Sequence, residues 1–253
     1  MKRAVVCWSR RTVSGIAVYW DSSGSRFLER DVILAVDTST RSVGIALYDG
    51  VQVVAESLWR SSSYHTVELA PAVEALMRRA DVSVDGLRAV AVAIGPGSFT
   101  ALRIGLAFAK GLALSRGLAL VGIPTLDVVA ATQPLDASSL LAVLEAGRRR
   151  LAVERYRPGA ERWERAGELI SCTLDELVSR IEGPTRVCGE LDARARQVLG
   201  EHSRVVLATP AESTRRPGVL AELGWGRLQS GAADDPVALA PLYLHHGDPI
   251  PGG

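Results

Sequence analysis

Three cysteines, four histidines and an aromatic content of 5% set the first limits on this 253-residue chain. Cys7, Cys172 and Cys188 are far apart and form no CxxC pair. That argues against a disulfide framework and a thiolate zinc site, and it suits a reducing cytoplasm. Neither sign of charge is in excess: 29 basic against 28 acidic residues leave a net charge of +1. No global field therefore favours nucleic acid or a membrane surface. Basic residues cluster only locally, at Arg148-Arg149-Arg150 and Arg215-Arg216, and read as solvated loop or strand-end charges in preference to a tRNA contact. No charge-free apolar run reaches the ~18 residues that cross a bilayer. Residues 1–30 lack the apolar stretch and cleavage site of a signal peptide, since Arg10-Arg11 is followed by Tyr19, Trp20 and Asp21. The Ser, Gly and Arg content of 21–30 predicts poor order. Residues 1–31 are thus expected to be an extension read through from an early start, with the native chain beginning near Val32.

What is present is regular alternation from Val32 onward. Val32-Ile33-Leu34-Ala35-Val36 suits a buried strand that ends at Asp37-Thr38-Ser39-Thr40. Val43, Ile45 and Leu47 alternate as in a second strand, and Asp49-Gly50 marks a hairpin into a third over 51–58. Val67, Ala70, Val73, Leu76 and Met77 have helical spacing over 66–80, with Pro71 predicting a kink or a late start. A strand over 87–94, a helix over 98–115, a strand over 118–122 and a helix to about 131 follow. The order β-β-β-α-β-α-β-α predicts a mixed sheet covered by helices, the arrangement of a ribonuclease H-like lobe. After a boundary loop at 133–139, strands over 140–145 and 151–156 and a segment over 163–170 repeat the β-then-α logic. Thr173-Leu174-Asp175-Glu176 is a capping box that opens a helix, and Gly183-Pro184 ends it. The expected division is an extension over 1–31, a first lobe over 32–132 and a second over 133–246.

The stretch from Ala91 to Gly122 is the most informative. Gly95 and Gly97 free the backbone, Pro96 stiffens it, and Ser98 stands at an N-cap position before a helix with Arg103 and Lys110. Such a turn can cradle an anion on free N–H groups, or lay the helix tightly against the sheet; the residues leave both open.

The blocks ILAVDTSTRSVGIALYDG, HTVELAPAVEALM, GPGSFTALRIGLAFAKGLAL, GIPTLDVVA and PLYLHH, in this order over about residues 32–246, resemble the TsaB (YeaZ) family of tRNA threonylcarbamoyladenosine synthesis. The resemblance implies two ribonuclease H-like lobes of the actin, Hsp70 and sugar-kinase superfamily. It implies a non-catalytic scaffold for the transferase TsaD, with the ATPase TsaE joining. It also implies a homodimer when TsaD is absent, only indirect contact with tRNA and a cytoplasmic location. No cofactor is expected on the chain itself, and an ATP or ADP site is expected only at the interface with TsaD.

Asp37, Thr38 and Ser39 resemble the first phosphate loop of the superfamily, and together with Gly95, Gly97 and Ser98 they are the candidates for a vestigial nucleotide-binding site. Thr38 and Ser39 occupy a turn that there needs glycine, so Asp37 and the hydroxyls read more readily as satisfying the turn than as catalytic. The second lobe departs from the family, with Glu145-Ala146-Gly147-Arg148 for an Asp-Ala-Arg-like motif and Val187-Cys188-Gly189-Glu190 for a Gly-rich turn. Both changes argue against ATP hydrolysis by this chain. The rival reading is an ATP-dependent small-molecule kinase of the same fold. The related transferase holds a metal on two histidines one helical turn apart; here His65 is followed by Leu69, and His202, His245 and His246 lie far off. No metal site and no catalytic residue are expected. From the residues alone, the apolar positions of the two helices either face this chain's own sheet or face a partner. The resemblance implies a partner face made by His65, Leu69, Val73, Leu76, Met77, Leu102, Arg103, Leu106 and Lys110. On that reading Leu106→Glu weakens TsaD binding without unfolding the chain.

Overall fold

The computed structural model describes residues 9–13, 16–20, 26–28, 31–61, 65–136, 138–147 and 149–244. In the N-terminal extension, strands β1 (Ser9–Val13), β2 (Ile16–Trp20) and β3 (Arg26–Leu28) pair antiparallel in that order. Of the stretch 21–30, where composition predicts poor order, residues 21–25 and 29–30 lie outside the described residues. The run IAVYW has a strand preference that outweighs its Ser- and Gly-rich flank.

The first main sheet holds β4 (Val32–Asp37), β5 (Ser42–Tyr48), β6 (Val53–Arg60), β7 (Leu87–Ala93) and β8 (Ala119–Ile123), ordered β6-β5-β4-β7-β8. The hairpin pairs are antiparallel, and β7 and β8 add in parallel. The second sheet repeats this plan. Strands β9 (Ser139–Glu145), β10 (Leu151–Pro158), β11 (Trp163–Arg165), β13 (Thr185–Gly189) and β14 (Val205–Leu207) run β11-β10-β9-β13-β14, and β12 (Ile170–Cys172) also pairs with β10. Both sheets thus have the ribonuclease H-like order 3-2-1-4-5.

Period-two alternation decides what each face of the first sheet meets. Val32, Leu34, Val36, Val43 and Ile45 point to one side, where α1 (His65–Arg79) and α2 (Phe99–Arg116) cover them. Ile33, Ala35, Ala89, Ala91 and Ala93 point to the other and meet α6 (Pro217–Gln229) through Leu220 and Ala221. Pro71 sits inside α1, and the helix begins at His65 all the same, so there is no late start.

Two helices cross the boundary expected at 133. The last helix, α6, packs on the first sheet although sequence order assigns it to the second lobe. Conversely α3 (Thr125–Ala131) buries Leu126, Val129 and Ala130 against Leu140, Ala142 and Leu144 of the second sheet. A polar network reinforces that seam. Asp127 of α3 accepts from Tyr156 Oη at 2.8 Å and from Arg165 Nε and Nη2 at 2.9 and 2.7 Å. Burial raises the pKa of the adjoining Glu154, whose Oε2 lies 3.1 Å from Tyr156 Oη. The far side of the second sheet is closed by α4 (Leu174–Ser179), with the capping box formed at Thr173 and Glu176, and by α5 (Ala193–Gly200).

The core takes up most of the apolar residues expected at a partner face. Leu69, Val73, Leu76, Met77, Leu102 and Leu106 are all buried within this chain, five of them, Leu102 apart, in the cluster under α1 and α2. The broad apolar stripe is needed because these helices lie flat on a sheet of Val, Ile and Leu. Leu106 is only 6% exposed, so Leu106→Glu strands a charge in the core and is expected to cost more than about 4 kcal/mol. Ala107→Glu, one residue on and exposed, is expected to stay within about 0.5 kcal/mol of the parent. Urea unfolding of the two variants checks this.

Candidate functional site

Asp37 ends the central strand β4, and the loop after it lies against the turn that opens α2. Ser98 N donates to the Ser39 carbonyl at 2.7 Å, and Thr38 Oγ1 donates to the Ala101 carbonyl at 2.7 Å. Ser39 Oγ and Thr125 Oγ1 share a hydrogen bond of 2.8 Å, and Thr125 Oγ1 accepts from Gly95 N at 3.0 Å. The structure therefore brings together Asp37, Thr38, Ser39, Gly95, Gly97 and Ser98, as the sequence suggested. The N–H groups of Gly95 and Ser98 are taken by the protein, and Ser39 N is bonded to Asp37 Oδ1 at 2.8 Å. These bonds tie the turn closely to the loop after Asp37. The glycines here serve close approach: a Cβ on Gly97 would strike the Ser39 carbonyl, and one on Gly105 would strike the Thr38 hydroxyl. Ser98 is the N-cap residue of α2, but its side chain makes no capping bond.

The space in front of Asp37 is filled by Arg215. Its Nε donates to Asp37 Oδ2 at 2.8 Å, its Nη2 to Thr40 Oγ1 at 2.8 Å and the Ser42 carbonyl at 3.3 Å, and its Nη1 to Glu190 Oε1. Thr40 Oγ1 in turn donates to Glu190 Oε1 at 2.8 Å. Asp37 and Arg215 are 3% and 4% exposed. Burial works against the guanidinium charge, but the carboxylates of Asp37 and Glu190 outweigh it and hold Arg215 protonated, above the ordinary arginine range. Gly189 makes the turn that delivers Glu190, with φ 123° and no room for a Cβ beside the Val143 carbonyl. Reading Arg215 as a solvated charge was wrong. Its partners Asp37 and Glu190 lie 178 and 25 residues away, beyond any local pattern. The one available hint was Glu190, standing where the family has a Gly-rich turn. Of the other basic positions, Arg216 pairs with Glu56, Arg150 binds Ser171, and Arg148 lies outside the described residues.

Among the described residues no group of three or more His, Cys, Asp or Glu is arranged to hold a metal ion; His245 and His246 lie outside them. His65 Nε2 donates to the Thr40 carbonyl at 3.0 Å, which ties the start of α1 to the same loop.

The second feature is the outer face of α1 and α2. Here a groove of about 410 Å³ is lined by Thr66, Ala70, Phe99, Arg103, Ala107 and Phe108, with Leu69 and Ile104 at its base. Arg103 faces outward, and Phe99 is 53% exposed. Of the residues expected at a partner face, Arg103 lines this groove. The apolar lining of the groove comes from Ala70, Phe99, Ala107 and Phe108, which no sequence pattern singled out for a partner face.

Comparison with known proteins decides the family. A family model described as TsaD, tRNA N6-adenosine threonylcarbamoyltransferase, matches residues 59–197. The chain is 29% identical to the tRNA threonylcarbamoyladenosine biosynthesis protein TsaB of Bacillus subtilis, over 84% of this chain and 93% of that protein. It is 30% identical to an uncharacterised protein of Mycobacterium tuberculosis, over 87% and 94%. The chain belongs to the TsaB (YeaZ) family. The solved structure of YeaZ from Pseudomonas aeruginosa shares the fold, with a TM-score of 0.71 at 21% identity, covering 85% of this chain and all of that one.

As a TsaB-family chain it carries the Asp37–Arg215–Glu190 cluster as a buried tie between its two sheets. Arg215→Ala leaves the buried Asp37 carboxylate without its ion partner and is expected to cost about 3–5 kcal/mol. Asp37→Asn with Arg215→Gln is expected to cost less than the sum of the single changes by about 1–3 kcal/mol. A double-mutant cycle by urea unfolding reads both numbers.

Proposed function

We infer that this chain is a non-catalytic scaffold of tRNA threonylcarbamoyladenosine synthesis, docking the transferase TsaD on the outer face of α1 and α2. TsaE joins the assembly once TsaD is bound. The observation that carries the non-catalytic reading is Arg215. A phosphate-binding loop needs open space and free N–H groups in front of its carboxylate, and here a guanidinium of the chain itself takes that space. The docking reading is supported by the apolar groove, whose small residues Ala70 and Ala107 let a partner helix approach closely. In this reading the chemistry belongs to TsaD, and any ATP or ADP sits at the interface with it. The same face pairs two copies when TsaD is absent, tRNA reaches this chain only indirectly, and the protein works in the cytoplasm. No helix among the described residues is long and apolar enough to cross a membrane, which is compatible with that location.

An omission assay tests the reading. Synthase, TsaD, TsaE, threonine, bicarbonate, ATP and tRNA are combined with or without this chain. Modified nucleoside is expected only with the chain present. It is expected to persist with Asp37→Asn, which keeps an acceptor for Arg215, and to fall with Ala107→Glu. Full modification without the chain, or binding of ATP by the chain alone that depends on Asp37, would return the kinase reading to the front.

A further inference from the structure

Two cations on the outer side of α2 are held in place by the C-terminal segment. Arg103 Nε donates to Tyr243 Oη at 3.0 Å, and its guanidinium carbon lies 3.7 Å from the centroid of the Phe99 ring. The rings of Phe99 and Tyr243 stack at 5.2 Å. Two helical turns further on, Lys110 Nζ donates to the Val237 carbonyl at 3.4 Å. Among the described residues neither cation has a carboxylate partner. An exposed arginine ordinarily samples many rotamers, so fixing one beside an apolar groove prepares it for a contact.

The segment that does the fixing is itself anchored. Asp234 N donates to the Leu120 carbonyl at 2.8 Å and Leu242 N to the Ile94 carbonyl at 2.7 Å. Leu239 packs into the core under α2, and Leu244 packs on the core of the second sheet.

We propose that Val237–Tyr243 is a working part of the docking surface, holding Arg103 and Lys110 to meet two carboxylates spaced two turns apart on a helix of the partner. The proposal rests on the docking reading above. It favours a protein helix over RNA because exposed Ala107 separates the two cations and an apolar groove flanks them, a surface that a phosphate backbone would leave uncovered. Tyr243 is a positioning residue for Arg103, and Val237 holds Lys110 through its backbone.

Association of the full chain with TsaD is followed across roughly 50–500 mM salt. For the wild type, the association rate is expected to fall steeply with salt. Arg103→Gln with Lys110→Gln is expected to slow association about tenfold at low salt and to flatten that slope. Tyr243→Ala keeps both charges, so it is expected to retain the slope and weaken affinity about three- to tenfold through faster dissociation. Tyr243→Phe, which keeps the ring, is expected to recover part of that loss. All variants are checked for an unchanged melting temperature; should Tyr243→Ala lower it, the exposed Arg103 and Lys110 changes decide. Wild-type binding with unaltered rates and slope in the double variant overturns the proposal. So does loss of direct tRNA binding in that variant with TsaD binding intact. No binding of TsaD by the wild type removes the docking reading itself, and this proposal with it.

Discussion

A buried guanidinium between two carboxylates is the contact on which the rest of this molecule turns. Placing Arg215 between Asp37 and Glu190 takes two charges, Arg215 and Asp37, out of water and partly covers a third, a large cost that is offset only when each group is fully bonded. Here it is: Nε, Nη1 and Nη2 all have acceptors, and Thr40 shares its hydroxyl with both Arg215 and Glu190. Such a cluster adds little net stability over an apolar replacement, but it tolerates no other arrangement of the two sheets. Glu190 follows the second sheet, Asp37 ends a strand of the first, and Arg215 leads into α6, which returns to the first. The ion cluster therefore fixes how the two halves meet and closes the space between them.

That closure reaches the outer surface through the loop after Asp37. Thr38 binds the first turn of α2, Ser39 binds Ser98 just before it, and the Thr40 carbonyl binds His65 at the start of α1. Gly97 and Gly105 make this possible, since any side chain there would push α2 away from the loop. The N-termini of both helices are thus set by the same few residues that face Arg215. The loop after Asp37 positions the outer face of α1 and α2.

Much of this was legible in the residues. Alternation over 32–58, helical spacing over 66–80 and the GPGS turn predicted the strands and helices of the first sheet, because each signal is local. The ribonuclease H-like order followed from the sequence of elements, and the juxtaposition of Asp37 to Ser39 with Gly95 to Ser98 followed from the two loops standing at the ends of neighbouring strands. Which helix stripe turns inward was not legible. Leu69, Val73 and Leu106 have the same chemistry whether they face a sheet or a partner, and helical periodicity alone does not say which stripe turns inward. Their width reads as surplus until one sees how large an apolar sheet the two helices must cover.

By itself the sequence determined the local order of strands and helices, the glycine turns, the absence of any strong charge bias and the family to which the chain belongs. Tertiary structure alone decided that Arg215 lies buried against Asp37, that α6 returns to the first sheet while α3 crosses to the second, and that Tyr243 grips Arg103. The physical reason is separation. Propensity, capping and periodicity act over a few residues, whereas ion pairs and packed faces join groups whose distance along the chain carries no information about their distance in space.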